Sequence, residues 1–229
     1  MHRRDPYPMR IPFHILTLAG LLLMPAEGWN GTIDEAGMPL RLSLQELEGV
    51  LPPGTRLMVH PAAIEKFLAE LDGPPPDWGT LYGRGHQDPG HGDRLFAFNR
   101  ERDARRGGHK ALGKAVAFLW TGELSRYDPG SDGFPIALGP KLVKTAWGMV
   151  RFKPEDVPAN LNVTTDVIQR EQWRRQIERG HPVEIDVVMS GKLVPDESIV
   201  YDFSHDEEGL GLIMPFVRVE RVDFVLINP

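Results

Sequence analysis

Residues 114–124, KAVAFLWTGEL, are predicted to form a β-strand with apolar side chains on both of its faces. Successive side chains of a strand point to opposite sides, so Phe118 and Trp120 share one side while Ala117 and Leu119 share the other. A strand that is apolar on both sides is usually covered on both sides and lies in the interior of its sheet. We therefore expect a sheet built around this segment, and the high glycine and proline content also favours a β-rich fold over a helical bundle.

Several other segments are also predicted strands, from a two-residue period in their apolar positions. The predicted strands are 94–99, 146–152, 183–189, 198–203 and 216–227. The last three follow one another through short links, which favours antiparallel pairing. In the final segment the apolar parity changes between Val219 and Val222, which indicates a β-bulge.

Three segments have the 3.6-residue periodicity of amphipathic helices: 43–52, 60–73 and 163–180. In the first, Ser43 and Glu46 form a capping-box pattern. The second has Pro61 in its first turn and ends at Gly73. In the third, Thr164 or Thr165 is the expected cap. The order of these elements predicts an α+β fold, with a mainly antiparallel β-sheet, two N-terminal helices and one helix inserted before the last three strands.

The first 28 residues have the three regions of a secretory signal peptide. Basic residues precede the apolar run Ile11–Met24, and Ala26 and Gly28 supply the small residues of a cleavage site. This run is shorter than the roughly 20 residues that a membrane-spanning helix needs. The protein is therefore expected to be periplasmic or secreted, with no stable membrane span after signal cleavage. The alternative is an uncleaved N-terminus that holds an envelope protein at the membrane.

The expected domain organisation has three parts. Residues 1–28 form the signal peptide, residues 29–79 form an N-terminal helical segment and Pro-rich linker, and residues 80–229 form a β-rich α+β domain. Whether 29–79 belongs to the core of that domain or forms a separate lobe is left open by the sequence.

Charge and cysteine content exclude several classes of function. Cleavage of the signal removes three arginines and two acids from a chain of net charge −6, which leaves −7. So acidic a protein is not expected to bind nucleic acid or anionic lipid through its overall field. The chain has no cysteine, so it can form no disulfide framework, carry no thiol-linked lipid anchor and use no cysteine nucleophile.

The glycine-rich stretch GRGHQDPGHGD, residues 83–93, is the candidate metal site. It contains His86, Asp88, His91 and Asp93, and imidazole with carboxylate suits zinc or another divalent transition ion. The two histidines are five residues apart, whereas the HExxH zinc motif places them four apart on a helix. The alternative is a mobile polar loop without a metal.

A basic island in an otherwise acidic chain is the candidate partner site. It comprises Arg100, Arg102, Arg105 and Arg106, which could bind an acidic partner or a polyanion. The alternative interpretation is a solvated turn that joins two strands, with Glu101 and Asp103 between the arginines.

The remaining motifs are incomplete. GHKALGKA (108–115) lacks the hydroxyl residue of a phosphate loop, and no GxSxG nucleophile motif is present. The DPGSDG turn, 128–133, resembles only the beginning of a calcium-binding loop. Acids at strand positions or strand ends that could form a catalytic pair are Glu123, Asp128, Asp186 and Asp202. No cofactor is expected other than a possible divalent metal.

The function expected from these observations is an exported, non-catalytic binding or interaction protein whose partner is an unknown protein or small molecule. The alternative is a metal-dependent hydrolase that uses the 86–93 loop, in which the ion would lower the pKa of a bound water.

Overall fold

The computed structural model describes residues 37–84, 87–195, 198–203 and 211–227. The predicted signal peptide lies outside these residues. The α-helices are α1 (Leu44–Val50), α2 (Pro61–Asp72), α3 (Trp78–Tyr82), α4 (His91–Arg106) and α5 (Val167–Glu178), with a 3-10 helix at Lys110–Gly113. The strands are β1 (Leu40–Leu42), β2 (Arg56–Leu57), β3 (Ala115–Leu124), β4 (Phe134–Pro140), β5 (Val143–Thr145), β6 (Gly148–Val150), β7 (Lys153–Glu155), β8 (Asn162–Val163), β9 (Glu184–Leu193), β10 (Ile199–Phe203) and β11 (Gly211–Ile227). Among these elements, no helix has the length and apolar character needed to cross a membrane.

All these strands belong to one sheet, whose centre is antiparallel. β9 lies between β3 and β11, and β4 pairs with the other edge of β3. β11 also pairs in parallel with β1, β6 and β7, and β2 pairs in parallel with β3. The predicted α+β class with a mostly antiparallel sheet is confirmed in this coarse form. The sheet itself is mixed, because short segments far apart in the chain join β11 in the parallel direction.

The β-bulge predicted in the last strand is present. The register between β11 and β9 shifts between Val219 and Arg221, where Gly191 pairs with Val219. A bulge inserts one extra residue into one strand, which explains why the apolar side chains change parity at this point. The prediction of the bulge from the apolar pattern is therefore confirmed.

The predicted strand at 94–99 is wrong, because these residues lie inside helix α4. The side of α4 that contacts the rest of the protein contains Leu95, Phe98, Arg102 and Arg106. Two of these positions are arginines, so the apolar residues alone do not show the helical period. A strand would place Phe96 and Phe98 on the same side. In the helix Phe98 packs against the core, whereas Phe96 is exposed.

Helix boundaries follow local capping. The predicted capping box is present at α1, where the Ser43 and Glu46 side chains each bond the other residue's backbone N–H. Helix α5 is capped one residue later than expected. The carboxylate of Asp166 accepts hydrogen bonds from the backbone N–H groups of Ile168 and Gln169, and a carboxylate at this position also complements the helix dipole.

Helices cover both faces of the sheet. The larger core includes buried residues of α2, of α5 and of the central strands, and Leu95 and Phe98 of α4 pack against it. The smaller core lies beneath α1 and contains Leu47, Ala117, Leu119, Val188 and Val225. The apolar character of β3 on both sides is thus explained by burial on both sides, as the sequence predicts.

Candidate functional site

The sheet face beneath α1 changes from apolar to polar along its length. On β3, Leu119 is followed on the same side by Thr121, and on β9, Val188 is preceded on the same side by Asp186. The cross-strand register aligns these changes, because Leu119 pairs with Val188 and Thr121 pairs with Asp186. A boundary between apolar and polar surface therefore crosses the sheet at this level.

A pocket of about 460 Å³ opens at the edge of β3 beside this boundary. β2 pairs with β3 only as far as Ala117 and β4 pairs only from Trp120 onward. Within the described residues, neither strand therefore pairs with Phe118 or Leu119, and the pocket enters through this gap. Its volume falls in the range of roughly 300–1,000 Å³ that is typical of small-molecule sites.

The walls of this pocket, which we call the β3-edge pocket, are mostly apolar. The apolar lining residues are Leu44, Met58, Val59, Pro61, Phe118, Leu119, Leu142, Val143, Phe152 and Ile227. Several of them come from the turn between β4 and β5 and from the end of β2, which are the segments that meet at the gap. Leu142 is 45% exposed at that turn, so it is one of the lining residues that water contacts.

The polar groups of the pocket are Lys141, Lys144 and Asp186. The ammonium group of Lys141 lies 3.1 Å from a carboxylate oxygen of Asp186. The Lys141 side chain is about half exposed, so this ion pair is partly screened by water and contributes little to folding. A few polar groups beside an apolar body are what orients a ligand in a binding pocket.

A second, more polar recess of about 290 Å³ adjoins the β3-edge pocket. Lys141, Asp186 and Ile227 line both cavities, and Thr121 and Glu184 line only the second. The Lys141–Asp186 ion pair therefore stands at the junction of an apolar and a polar cavity. Among the strand acids considered from sequence, Asp186 is thus placed at a cavity, whereas Asp128 lies in an exposed turn that its carboxylate stabilises through Gly130 and Ser131.

Of the four predicted metal ligands, the structure describes Asp88, His91 and Asp93, whereas His86 lies outside the described residues. Asp88 accepts hydrogen bonds from the Gly90 backbone (2.9 Å) and from a guanidinium nitrogen of Arg94 (2.8 Å). A ring nitrogen of His91 lies 2.6 Å from the Asp88 carbonyl oxygen. Within the described chain no three His, Cys, Asp or Glu side chains form a group that could hold a metal.

The Asp88 carboxylate is expected to make stability depend on acid. Its hydrogen bond from Arg94, followed by the one from Gly90, lowers the pKa of Asp88 to about 2. An unfolded aspartate has a pKa of about 3.9. Because the folded pKa is the lower one, the contribution is complete above that unfolded value and disappears as the pH falls towards 2.

We therefore expect wild type to be more stable than Asp88→Asn at pH 7, and the difference to vanish between about pH 4 and pH 2. Urea unfolding midpoints of the two proteins across this range test the expectation. A difference that stays constant down to pH 2 would show that the ionised carboxylate is not responsible.

The four arginines of the basic island do not form one surface, because they lie on α4 and not on a turn between strands. Arg100 and Arg105 are exposed, and Arg105 pairs with Glu101. Arg102 and Arg106 are only 3% and 1% exposed. The predicted solvated turn is therefore wrong, and two of the four candidate partner residues belong to the protein interior.

The buried arginines surround one carboxylate, that of Asp72 at the end of α2. Arg106 Nε lies 2.7 Å from Asp72 Oδ1, and Arg102 Nη1 lies 3.7 Å from Oδ2. The hydroxyl of Tyr201, on β10, donates a hydrogen bond to Asp72 Oδ2. Burial, and then the nearby Asp72 charge, raises the pKa of Tyr201, so the phenol remains protonated and can donate.

Other contacts of this cluster are to the backbone and to aromatic rings. Arg102 donates to the Pro74 carbonyl (2.7 Å) and lies 4.4 Å from the centre of the Phe98 ring. Arg106 donates to the Ile199 carbonyl (2.8 Å). These contacts join α2, α4 and β10, so the cluster has a structural role and the β3-edge pocket is the stronger candidate site.

Sequence analysis missed the residues that make the pocket. Asp186 stood among the candidate acids, but Lys141 and Lys144 carried no motif. The available signal was the lysine that directly follows β4, a strand without any charged residue. The chain matches no protein-family model, no curated protein and no solved structure.

Proposed function

We propose that this chain is an exported, periplasmic or secreted, non-catalytic binding protein and that the β3-edge pocket holds a small molecule with an apolar body. The observation that carries the proposal is the preformed pocket of about 460 Å³ with predominantly apolar walls. It lies at the gap between β2 and β4 along the edge of β3, where nothing in the described chain fills it.

The composition of the walls supports a small apolar ligand. Phe118 and Met58 at the base of the pocket are buried side chains of the core, so the pocket is a depression in packed structure. An apolar group that enters it leaves water and gains about 25 cal/mol per Å² of buried surface. The charged groups stand beside the apolar walls, so the ligand body would displace no hydrogen bond from them.

The test uses N-phenyl-1-naphthylamine, a neutral probe whose fluorescence rises in apolar surroundings. We expect the full chain to bind this probe with a saturable rise in fluorescence. Leu142→Asp should weaken the binding at least tenfold, because the new carboxylate would lose water when the probe covers it. The measurement is a fluorescence titration of wild type and variant.

Leu40→Asp is the matched control. Leu40 is 41% exposed, close to the exposure of Leu142, but it lies on β1 and does not line the pocket. Equal weakening by both substitutions, or no saturable binding to wild type, would contradict a binding role for this pocket.

A further inference from the structure

The ion pair at the junction of the two cavities restricts which head group a ligand can carry. Lys141 and Asp186 are each other's partners at 3.1 Å and line both cavities. A ligand whose apolar body fills the β3-edge pocket must place its polar end next to both charges.

A ligand with a single charge fits this junction poorly. A carboxylate that binds Lys141 would take it from Asp186 and bring two negative groups together, with Glu184 adding a third in the polar recess. Lys144 also lines the pocket, but it already has an interaction of its own. An ammonium group that binds Asp186 would instead leave Lys141 unpaired beside a positive ligand. In both cases the attraction gained is offset by like-charge repulsion.

A ligand that carries both charges on neighbouring atoms avoids this conflict. Its carboxylate can pair with Lys141 while its ammonium group pairs with Asp186, so the ligand enters the ion pair without leaving either side chain unpartnered. Since a partly exposed ion pair is only weakly stabilising, separating Lys141 from Asp186 costs little.

We propose that the β3-edge pocket binds an amphipathic zwitterion, of which an α-amino acid with a large apolar side chain is the simplest example. The apolar side chain occupies the pocket. The ammonium group faces the polar recess, where Thr121 and Glu184 lie beside Asp186. The inference rests on the proposed binding function and adds the chemical class of the ligand.

Three probes with the same phenylethyl body test the head group. They are L-phenylalanine, 3-phenylpropionate, which lacks the ammonium group, and 2-phenylethylamine, which lacks the carboxylate. Calorimetric titration of the full chain is expected to give at least tenfold tighter binding of phenylalanine than of the other two. Equal or tighter binding of either singly charged probe overturns the inference.

Two substitutions test which side chain pairs with each charge of the ligand. Asp186→Asn should remove the preference for phenylalanine over 3-phenylpropionate, and Lys141→Met should remove its preference over 2-phenylethylamine. Lys192→Met is the matched control, because Lys192 also pairs with an acid on another strand, Glu220 (3.2 Å), but lies outside both cavities. Preferences that survive both pocket substitutions would overturn the assignment.

Binding of N-phenyl-1-naphthylamine separates the inference from the proposed function. If this neutral probe binds and phenylalanine shows no preference, the pocket is a binding site and the zwitterion inference is wrong. If neither binds, the proposed function fails as well. Unchanged probe binding by Lys141→Met and Asp186→Asn would show that both variants keep the pocket intact.

Discussion

We expect Asp72→Asn to lower the free energy of unfolding by about 3–5 kcal/mol. The substitution keeps the shape of the side chain but removes its charge. Among the described residues it leaves Arg102 buried without a counter-ion, and it leaves Arg106 with only Asp103, a half-exposed partner 3.2 Å away. Removing one partner of a buried ion pair is far more costly than removing a surface pair, because the remaining charge has neither water nor a partner. Since domains are stable by about 5–15 kcal/mol, the expected loss is a large fraction of the total.

Urea unfolding of the two proteins measures this effect as a lower midpoint. Glu70→Gln is the control, because Glu70 lies on the same helix and also pairs with two cations, Arg56 and Lys114, but at the surface. It should cost no more than about 1 kcal/mol. Similar losses of unfolding free energy in the two variants would mean that burial does not increase the contribution of the Asp72 ion pairs to stability.

Gly191→Ala is expected to destabilise the protein by about 3 kcal/mol, the upper end of the usual cost of overpacking. A Cβ atom at this position would lie 1.9 Å from the Arg218 carbonyl oxygen and 3.0 Å from the Val219 Cα atom. Both obstacles are backbone atoms of β11 at its bulge, so no side-chain rotation can relieve the clash. β9 is held between β3 and β11 and cannot move away without breaking one of the two pairings.

The measurement is again the urea midpoint, with Gly49→Ala as the matched control. Gly49 lies within α1, and a Cβ atom there would meet nothing within 4 Å. Replacing a helical glycine by alanine should stabilise the protein by roughly 0.5–1 kcal/mol. Equal responses at the two positions would rule out close approach of β9 and β11 as the reason for glycine at 191.

The sequence predicts best where local pattern and tertiary environment agree. β3 is apolar on both sides because helices cover both faces, and the bulge in β11 appears directly as a change of apolar parity. Helix α4 is the opposite case. Its inward side uses Arg102 and Arg106, which become buried only because Asp72 lies opposite them. That partner comes from another helix, and no periodicity within residues 91–106 reveals it.

The β3-edge pocket could not be predicted for a related reason. It exists because β2 ends at Leu57 and β4 ends at Pro140, which leaves part of β3 between them unpaired with either strand. The gap therefore depends on two strands that are distant in the chain. Lys141 and Asp186 meet only because the sheet brings them together across 45 residues of sequence. The polar residues of 83–93 attract attention in the sequence, yet the Asp88 carboxylate accepts bonds from Gly90 and Arg94, and His91 contacts the Asp88 carbonyl. His91 and Asp93 lie in the first turn of α4 and not in a loop.

The long strand β11 has a consequence for how this chain folds. Its pairing partners are β1, near the start of the described chain, and β6, β7, β9 and β10, which all follow Thr145. Few of the contacts that complete the sheet are therefore local, and proteins dominated by non-local strand pairing fold slowly, in milliseconds to seconds. Leu40 of β1 pairs directly with Val225 of β11, across almost the whole described chain. We therefore expect the search for distant partners, and not helix formation, to limit the speed of folding.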